Sequence, residues 1–190
     1  MNRRTKIAAV AAALLLTAGA AGSAAATGTG PGEEPGAREA AALTGTAKLY
    51  RPAGDDITFS FDAHLAAPDT MNPQAATGTF RFSHYVQGKG GYAVATVDCL
   101  VTGGPVAVVT GRVVETDVKA FKGARVGVSV LDDGTNDRLG YSWMTQDPKK
   151  GNVPPCQSAP PFEQVLAGTG DFRVLPWIPE YPGSEAVSGK

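Results

Sequence analysis

The chain carries two histidines and two cysteines among 190 residues, so the chemistry it can support is narrow. His64 stands two residues after Asp62, and Ser60 stands two before that. Serine, histidine and aspartate are the parts of a nucleophilic hydrolase, in which the imidazole takes the hydroxyl proton and the acid holds the imidazole. On an extended strand, side chains two apart stand about 7 Å from each other, too far for a direct hydrogen bond. No G-x-S-x-G elbow occurs in the chain. A solvated strand face rich in Ser, Asp and His explains the same run. Asp98 joins Asp62 and His64 as the acid–base groups to test. His84 shares a strand face with Phe80, Phe82 and Val86, which suits a strand-end or hydrogen-bonded core histidine. No residue is assigned as catalytic, and the balance leans away from an enzyme.

The densest acidic run is Asp132-Asp133-Gly134-Thr135-Asn136-Asp137. Calcium takes several oxygen ligands from alternating loop positions. Asp132, Asn136 and Asp137 are the candidates, but the spacing is not that of the helix–loop–helix site and its terminal Glu is missing. Asp-Gly between two alternating runs is a hairpin signal, and the turn is the preferred reading. No metal and no cofactor is expected. The glycines in Gln87–Gly91 and Gly168–Gly170 read as hairpin and loop glycines, because a phosphate loop must join a strand to a helix. Tyr141, Trp143 and Trp177 are the residues able to line a ligand pocket, with core packing as the alternative. Lys119, Lys122, Arg125, Lys149 and Lys150 make a modest basic face, solvated by default.

Location follows from the first 26 residues. Arg3, Arg4 and Lys6 precede an apolar run from Ile7 to Leu16, and Ala24-Ala25-Ala26 fits the small-x-small cleavage rule. The apolar core is too short to span a bilayer, which takes roughly 20 residues. The expectation is a secreted, extracellular chain beginning at Thr27. Removing the three leader cations leaves 14 basic against 18 acidic residues, a charge of −4. That balance disfavours a nucleic-acid partner. In an oxidising compartment, Cys99 and Cys156 most simply form one disulfide.

The elements that must position these residues alternate with period two. Ile57, Phe59, Phe61, Ala63 and Leu65 form one buried strand face; Phe80 and Phe82 mark a second strand. Tyr92–Val101 is a third, with Ala93, Ala95, Val97, Cys99 and Val101 on one face. Ala107, Val109, Gly111 and Val113 mark a fourth, Val126–Val130 a fifth, Leu139–Trp143 a sixth and Phe172–Val174 a last. Phe162–Ala167 has the makings of one short helix between Pro161 and Gly168. The pattern predicts an all-β antiparallel meander of about seven strands, as a small barrel or a sandwich. The expected organisation is a signal peptide over 1–26 and a flexible tail over 27–45. A β domain then fills 46–178, and a loose tail fills 179–190.

Three blocks carry a resemblance: VDCLVTGGPVAVVTGRV (Val97–Val113), GVSVLDDGTNDRLGYSW (Gly127–Trp143) and PFEQVLAGTGDFRVLPW (Pro161–Trp177). Together they resemble small secreted proteins of Streptomyces-type actinobacteria, often labelled "repetin" or "secreted protein". The resemblance implies an exported β domain and supplies no catalytic residues.

Three functions fit. The first is a non-enzymatic exported domain binding a small ligand, a glycan or a surface protein. The second is a small-barrel hydrolase or isomerase. The third is an extracellular protease inhibitor presenting the Pro-rich Cys156 loop. No membrane-spanning segment follows the leader.

Overall fold

The computed structural model describes residues 38–144, 147 and 153–178. The expected signal peptide, the C-terminal tail over 179–190, and Lys149 and Lys150 lie outside the described residues. Among the described residues nine strands form one antiparallel sheet: β1 (Glu39–Lys48), β2 (Asp56–Ala66), β3 (Thr77–Val86), β4 (Lys89–Gly103), β5 (Val106–Thr116), β6 (Arg125–Leu131), β7 (Arg138–Tyr141), β8 (Glu163–Gln164) and β9 (Asp171–Leu175). β1 to β8 lie side by side in chain order, and β9 pairs with the outer edge of β1. The fold is the expected all-β meander, curled into a half-barrel of nine strands in place of seven.

The two uncounted strands are β1 and β8, and both correct the sequence reading. β1 opens at Glu39, inside the segment expected to be a tail, and buries Ala41, Ala42 and Leu43. Its alanines favour helix in isolation, but nine register pairs with β2 override that preference. Phe162–Ala167 forms no helix. Glu163 and Gln164 pair with Leu139 and Arg138 of β7. The next residue, Val165, bridges to Leu49 just beyond β1. The Tyr50 N–H donates to the Gln164 carbonyl at 2.8 Å. This strip therefore joins the two rolled edges of the sheet.

The free edge of β9 is closed differently. Asp137 is buried, and its carboxylate accepts the Phe172 N–H at 2.8 Å and the Asp133 N–H at 3.0 Å. The Asp132 carboxylate accepts the Val174 N–H at 3.0 Å. Side-chain oxygens here take the place of a neighbouring strand. The acidic run is a turn, as preferred, and its carboxylates serve as the seam.

The middle of the interior is built of aromatic rings. Phe59, Phe61, Phe80, Phe82 and Phe172 fill it, with Phe61 edge-on to Phe172 at 5.4 Å. Phe80 lies over Gly111, where an added Cβ would stand 2.7 Å from the ring. Phe80 and Phe82 of β3 thus stand beside Ala95 and Ala93 of β4, and Phe80 lies over Gly111 of β5. That is the close contact their small size implied.

The face assigned to β4 needs one correction. The β4–β5 register slips between Val97 and Cys99, so Asp98 is an extra residue in β4. A bulge reverses the inward and outward phase beyond it. Val97 points inward, Cys99 pairs with the outward Thr110, Leu100 is buried within and Val101 is 42% exposed. Cys99 therefore leaves the interior face and bonds to Cys156. Thr110 donates to Asp98 at 2.7 Å and accepts the Cys156 N–H at 3.2 Å. The loop after Val153 lies flat on the outer face of β5–β7. Gly127 and Gly140 admit it, since an added Cβ would stand 2.7 Å from the Gln157 carbonyl and 2.6 Å from the Pro161 carbonyl.

Two stability outcomes follow. Reducing the disulfide, which closes a separation of 57 residues, should lower unfolding free energy by about 4 kcal/mol in the chain-entropy account. Urea melts with and without reductant check this, and coincident curves would refute it. Asp137→Ala orphans two backbone donors and should destabilise by roughly 1–3 kcal/mol. A melt equal to wild type would show that the seam holds without that carboxylate.

Candidate functional site

One end of the half-barrel is lined by rings. Phe59 comes from β2 and Phe82 from β3, both as inward positions of alternating strands. Tyr141 ends β7, and Trp143 follows in a short 3-10 turn. Phe121 comes from the β5–β6 connection. Trp143 stands 4.2 Å from Phe82, 4.8 Å from Tyr141, 5.8 Å from Phe121 and 5.9 Å from Phe59, ring centre to ring centre. Offset and edge-on ring pairs at these separations hold one another in fixed orientations.

Two adjoining hollows open around Trp143. One, of about 340 Å³, is walled by Ile57, Phe59, Phe82, Tyr141 and Trp143, with Ser83 and His84 at its rim. The other, of about 430 Å³, lies between Phe82, Trp143, Phe121, Val118 and Tyr92. His84 borders both. Volumes of ~300–1,000 Å³ with apolar walls and few polar groups are those of small-molecule sites.

The polar rim is built by local backbone geometry. Gln87 and Gly88 both have positive φ, at 50° and 76°, and form the two-residue turn joining β3 to β4. Gly90 then passes so close to His84 that an added Cβ would stand 1.8 Å from the His84 carbonyl. His84 is therefore held at the strand end, half exposed, not in the core. Its Nε2 lies 3.0 Å from Asp55 Oδ2. Asp55 ends the β1–β2 connection. The same connection carries Arg51, which donates to the Tyr141 hydroxyl at 3.2 Å and forms an ion pair with Glu163 of β8.

The aromatic candidates thus divide. Tyr141 and Trp143 share this mouth. Trp177 does not: its indole N–H donates to Thr70 at 2.9 Å at the opposite end, beside a hollow of about 200 Å³ lined by Leu65, Met71 and Leu100. Phe121, Arg51 and Asp55 were not singled out from sequence. They sit in connections, where no periodicity marks which way a side chain faces. Phe82 and His84 carried a signal, being on one face at a strand end.

The remaining candidates are committed elsewhere. His64 Nε2 lies 2.8 Å from Asp62, correcting the expectation that the pair is too far apart. The 7 Å separates the strand positions, and the two side chains lean together to close it. His64 Nδ1 lies 2.6 Å from Glu39 of β1, a partner hidden by the misread tail. Ser60 Oγ is bonded to Thr46 at 2.7 Å and is not brought to His64 by any bond described. Asp98 accepts from Thr110 and, at 2.6 Å, from Arg125, which takes Arg125 out of the expected basic face. Lys122 donates to the Val114 carbonyl. The residues of the calcium alternative are placed as follows. Asp132 and Asp137 are occupied by backbone N–H groups, and Asn136 is an exposed turn residue. Among the described residues no group of three His, Cys, Asp or Glu is arranged to hold a metal. Burial pushes the Asp137 carboxyl above the usual range, against the two N–H groups it accepts.

No protein-family model matches the chain, and no curated protein or solved structure matches it either.

The Asp62 hydrogen bond raises the His64 pKa above 6.5; burial opposes this, and Glu39 adds to the rise. The folded state then binds the proton more tightly than the unfolded chain. Its stabilisation is fully present below pH 6.5 and is lost as pH rises through the higher folded value. With His64 a third exposed, the effect should stay below about 1 kcal/mol. Melting temperatures between pH 5 and 9 should fall across this window in wild type and flatten in Glu39→Gln with Asp62→Asn. An unchanged slope in the double variant would assign the pH response elsewhere.

Proposed function

We propose that the chain is an exported β domain that binds a small, planar, apolar molecule at its aromatic mouth. The observation that carries this reading is the pair of adjoining hollows around Trp143, whose walls are rings fixed by one another. A binding site needs walls that do not collapse when empty, and here Phe82, Tyr141, Phe121 and Phe59 brace Trp143 on several sides. A glycan fits less well, because it needs several aligned polar partners along the walls. The hollow walled by Tyr141 has two polar residues at its rim, Ser83 and His84.

Export is supported by the leader-like residues 1–26, by the disulfide and by the resemblance to small secreted actinobacterial proteins. No helix among the described residues is long and apolar enough to cross a membrane. The hydrolase reading built on His64 has less support, since Ser60 and Asp98 are bonded elsewhere. The inhibitor reading meets a Cys156 loop whose described part is laid on the sheet, with Val153 and Pro160 buried.

The test uses the neutral fluorophore N-phenyl-1-naphthylamine in a Trp177→Phe background, so that Trp143 is the sole indole reporter. Saturable fluorophore enhancement with quenching of Trp143 is expected, and Trp143→Ala should weaken binding at least tenfold. Absence of saturation in the parent protein would overturn the reading. Intact mass of the protein from culture medium checks export. Thr27–Lys190 less two hydrogens is expected, and a cell-associated full-length chain would contradict it.

A further inference from the structure

We infer that the mouth selects planar molecules bearing an aryl hydroxyl, with His84, oriented by Asp55, as the group that accepts the hydroxyl proton in a hydrogen bond. The inference rests on the mouth being the binding site and names the class of ligand it takes.

His84 is the polar group shared by both hollows. Its Nε2 faces the Asp55 carboxylate at 3.0 Å. A carboxylate has no proton to give, so in the neutral imidazole Nε2 carries the hydrogen and Nδ1 is left with its lone pair. In that neutral form the ring offers an acceptor. An anionic ligand group would meet that lone pair and the nearby Asp55 charge, whereas a hydroxyl or N–H meets a partner. The second wall group narrows the choice. The Tyr141 oxygen accepts from Arg51, and Glu163 neutralises that guanidinium. The phenol's own hydrogen remains to be donated. Both residues line one hollow, where a neutral His84 can accept and the Tyr141 hydroxyl can donate, between rings that suit a flat apolar body. A hydroxyl on an aromatic ring is both donor and acceptor, and it matches both.

Sites built to hydrogen-bond a hydroxyl discriminate against the analogue that lacks it, because their polar groups are left unpaired. The matched probes are 2-naphthol and 2-methoxynaphthalene, which share the ring system and differ in that a methyl replaces the O–H hydrogen. Titrated into the Trp177→Phe protein by Trp143 quenching and by calorimetry, 2-naphthol should bind roughly tenfold more tightly, the size of one net hydrogen bond. The preference should shrink toward unity in His84→Leu and in Asp55→Ala, through loss of 2-naphthol affinity. Equal affinity for both probes in the parent protein would overturn the hydroxyl assignment while leaving the mouth as the binding site. A preference that survives both variants would overturn the role of His84. Failure of both probes to bind would overturn the mouth itself and this inference with it. Should His84→Leu fail to fold, the parent protein's probe ratio and Asp55→Ala decide the question.

Discussion

A meander of strands ends in two edges, and each edge is a row of backbone donors and acceptors that must be paired or left to other chains. The rest of this structure depends on how those edges are joined. Backbone pairing does part of the work: Glu163 and Gln164 lie on β7, while Val165 and the Gln164 carbonyl reach Leu49 and Tyr50. Carboxylates do the other part, with Asp137 and Asp132 taking the Phe172 and Val174 N–H groups of β9. These donors are two residues apart, so they point to the same side, where β1 is not. Two acidic side chains projecting from one turn match that spacing. A buried carboxylate is expensive, and the raised Asp137 pKa registers the expense. An edge left unpaired beside the core would be worse, because each buried orphan donor carries its own desolvation penalty.

A second constraint sits on the opposite wall. The extra residue at Asp98 turns Cys99 outward without moving Val97 or Leu100 from the core. Asp98 and Cys99 thus fall next to each other on the outer face, and Thr110 connects the Asp98 carboxylate to the Cys156 backbone. Arg125 supplies the balancing charge at 2.6 Å. The disulfide, the bulge and the ion pair make one knot that fastens the loop after Val153 to the sheet. Glycines at 127 and 140 are required beneath it, since a side chain at either would strike the loop backbone.

Much of this was legible in the sequence wherever a strand alternates cleanly. β2 shows strict alternation of buried Ile57, Phe59, Phe61, Ala63 and Leu65, and its face was read correctly. The readings that failed lie where another rule competes. The alanines of β1 favour helix, and its edge pairing with β2 and β9 settles the matter only through residues far along the chain. β8 has two residues, too few for any periodicity. A bulge is invisible to a period-two pattern, because Val97–Asp98–Cys99–Leu100 alternates equally well without it. The site divides in the same way. Tyr141 and Trp143 stood out by type, and Phe82 and His84 by face. Asp55 and Arg51 lie in a connection, and only the rolled sheet brings them to the rings.

The seam and the mouth are not independent. Arg51 pairs with Glu163, a residue of the closing strip, and the same guanidinium donates to Tyr141. The Tyr50 N–H donates to the Gln164 carbonyl, one residue away from Arg51 and from Glu163. The connection that carries Arg51 and Asp55 is thereby tied at its start to the strip that shuts the sheet. Its end is fixed by the pairing of Asp56 with Tyr85, beside His84. The polar rim is therefore placed by closure of the fold, while the apolar walls are placed by alternation within single strands. The interior below holds Phe80 against Gly111 and Phe61 against Phe172. The rim is where the rings end and the first polar groups begin. On the reading proposed above, a flat molecule with one polar edge is the shape that such a boundary accommodates.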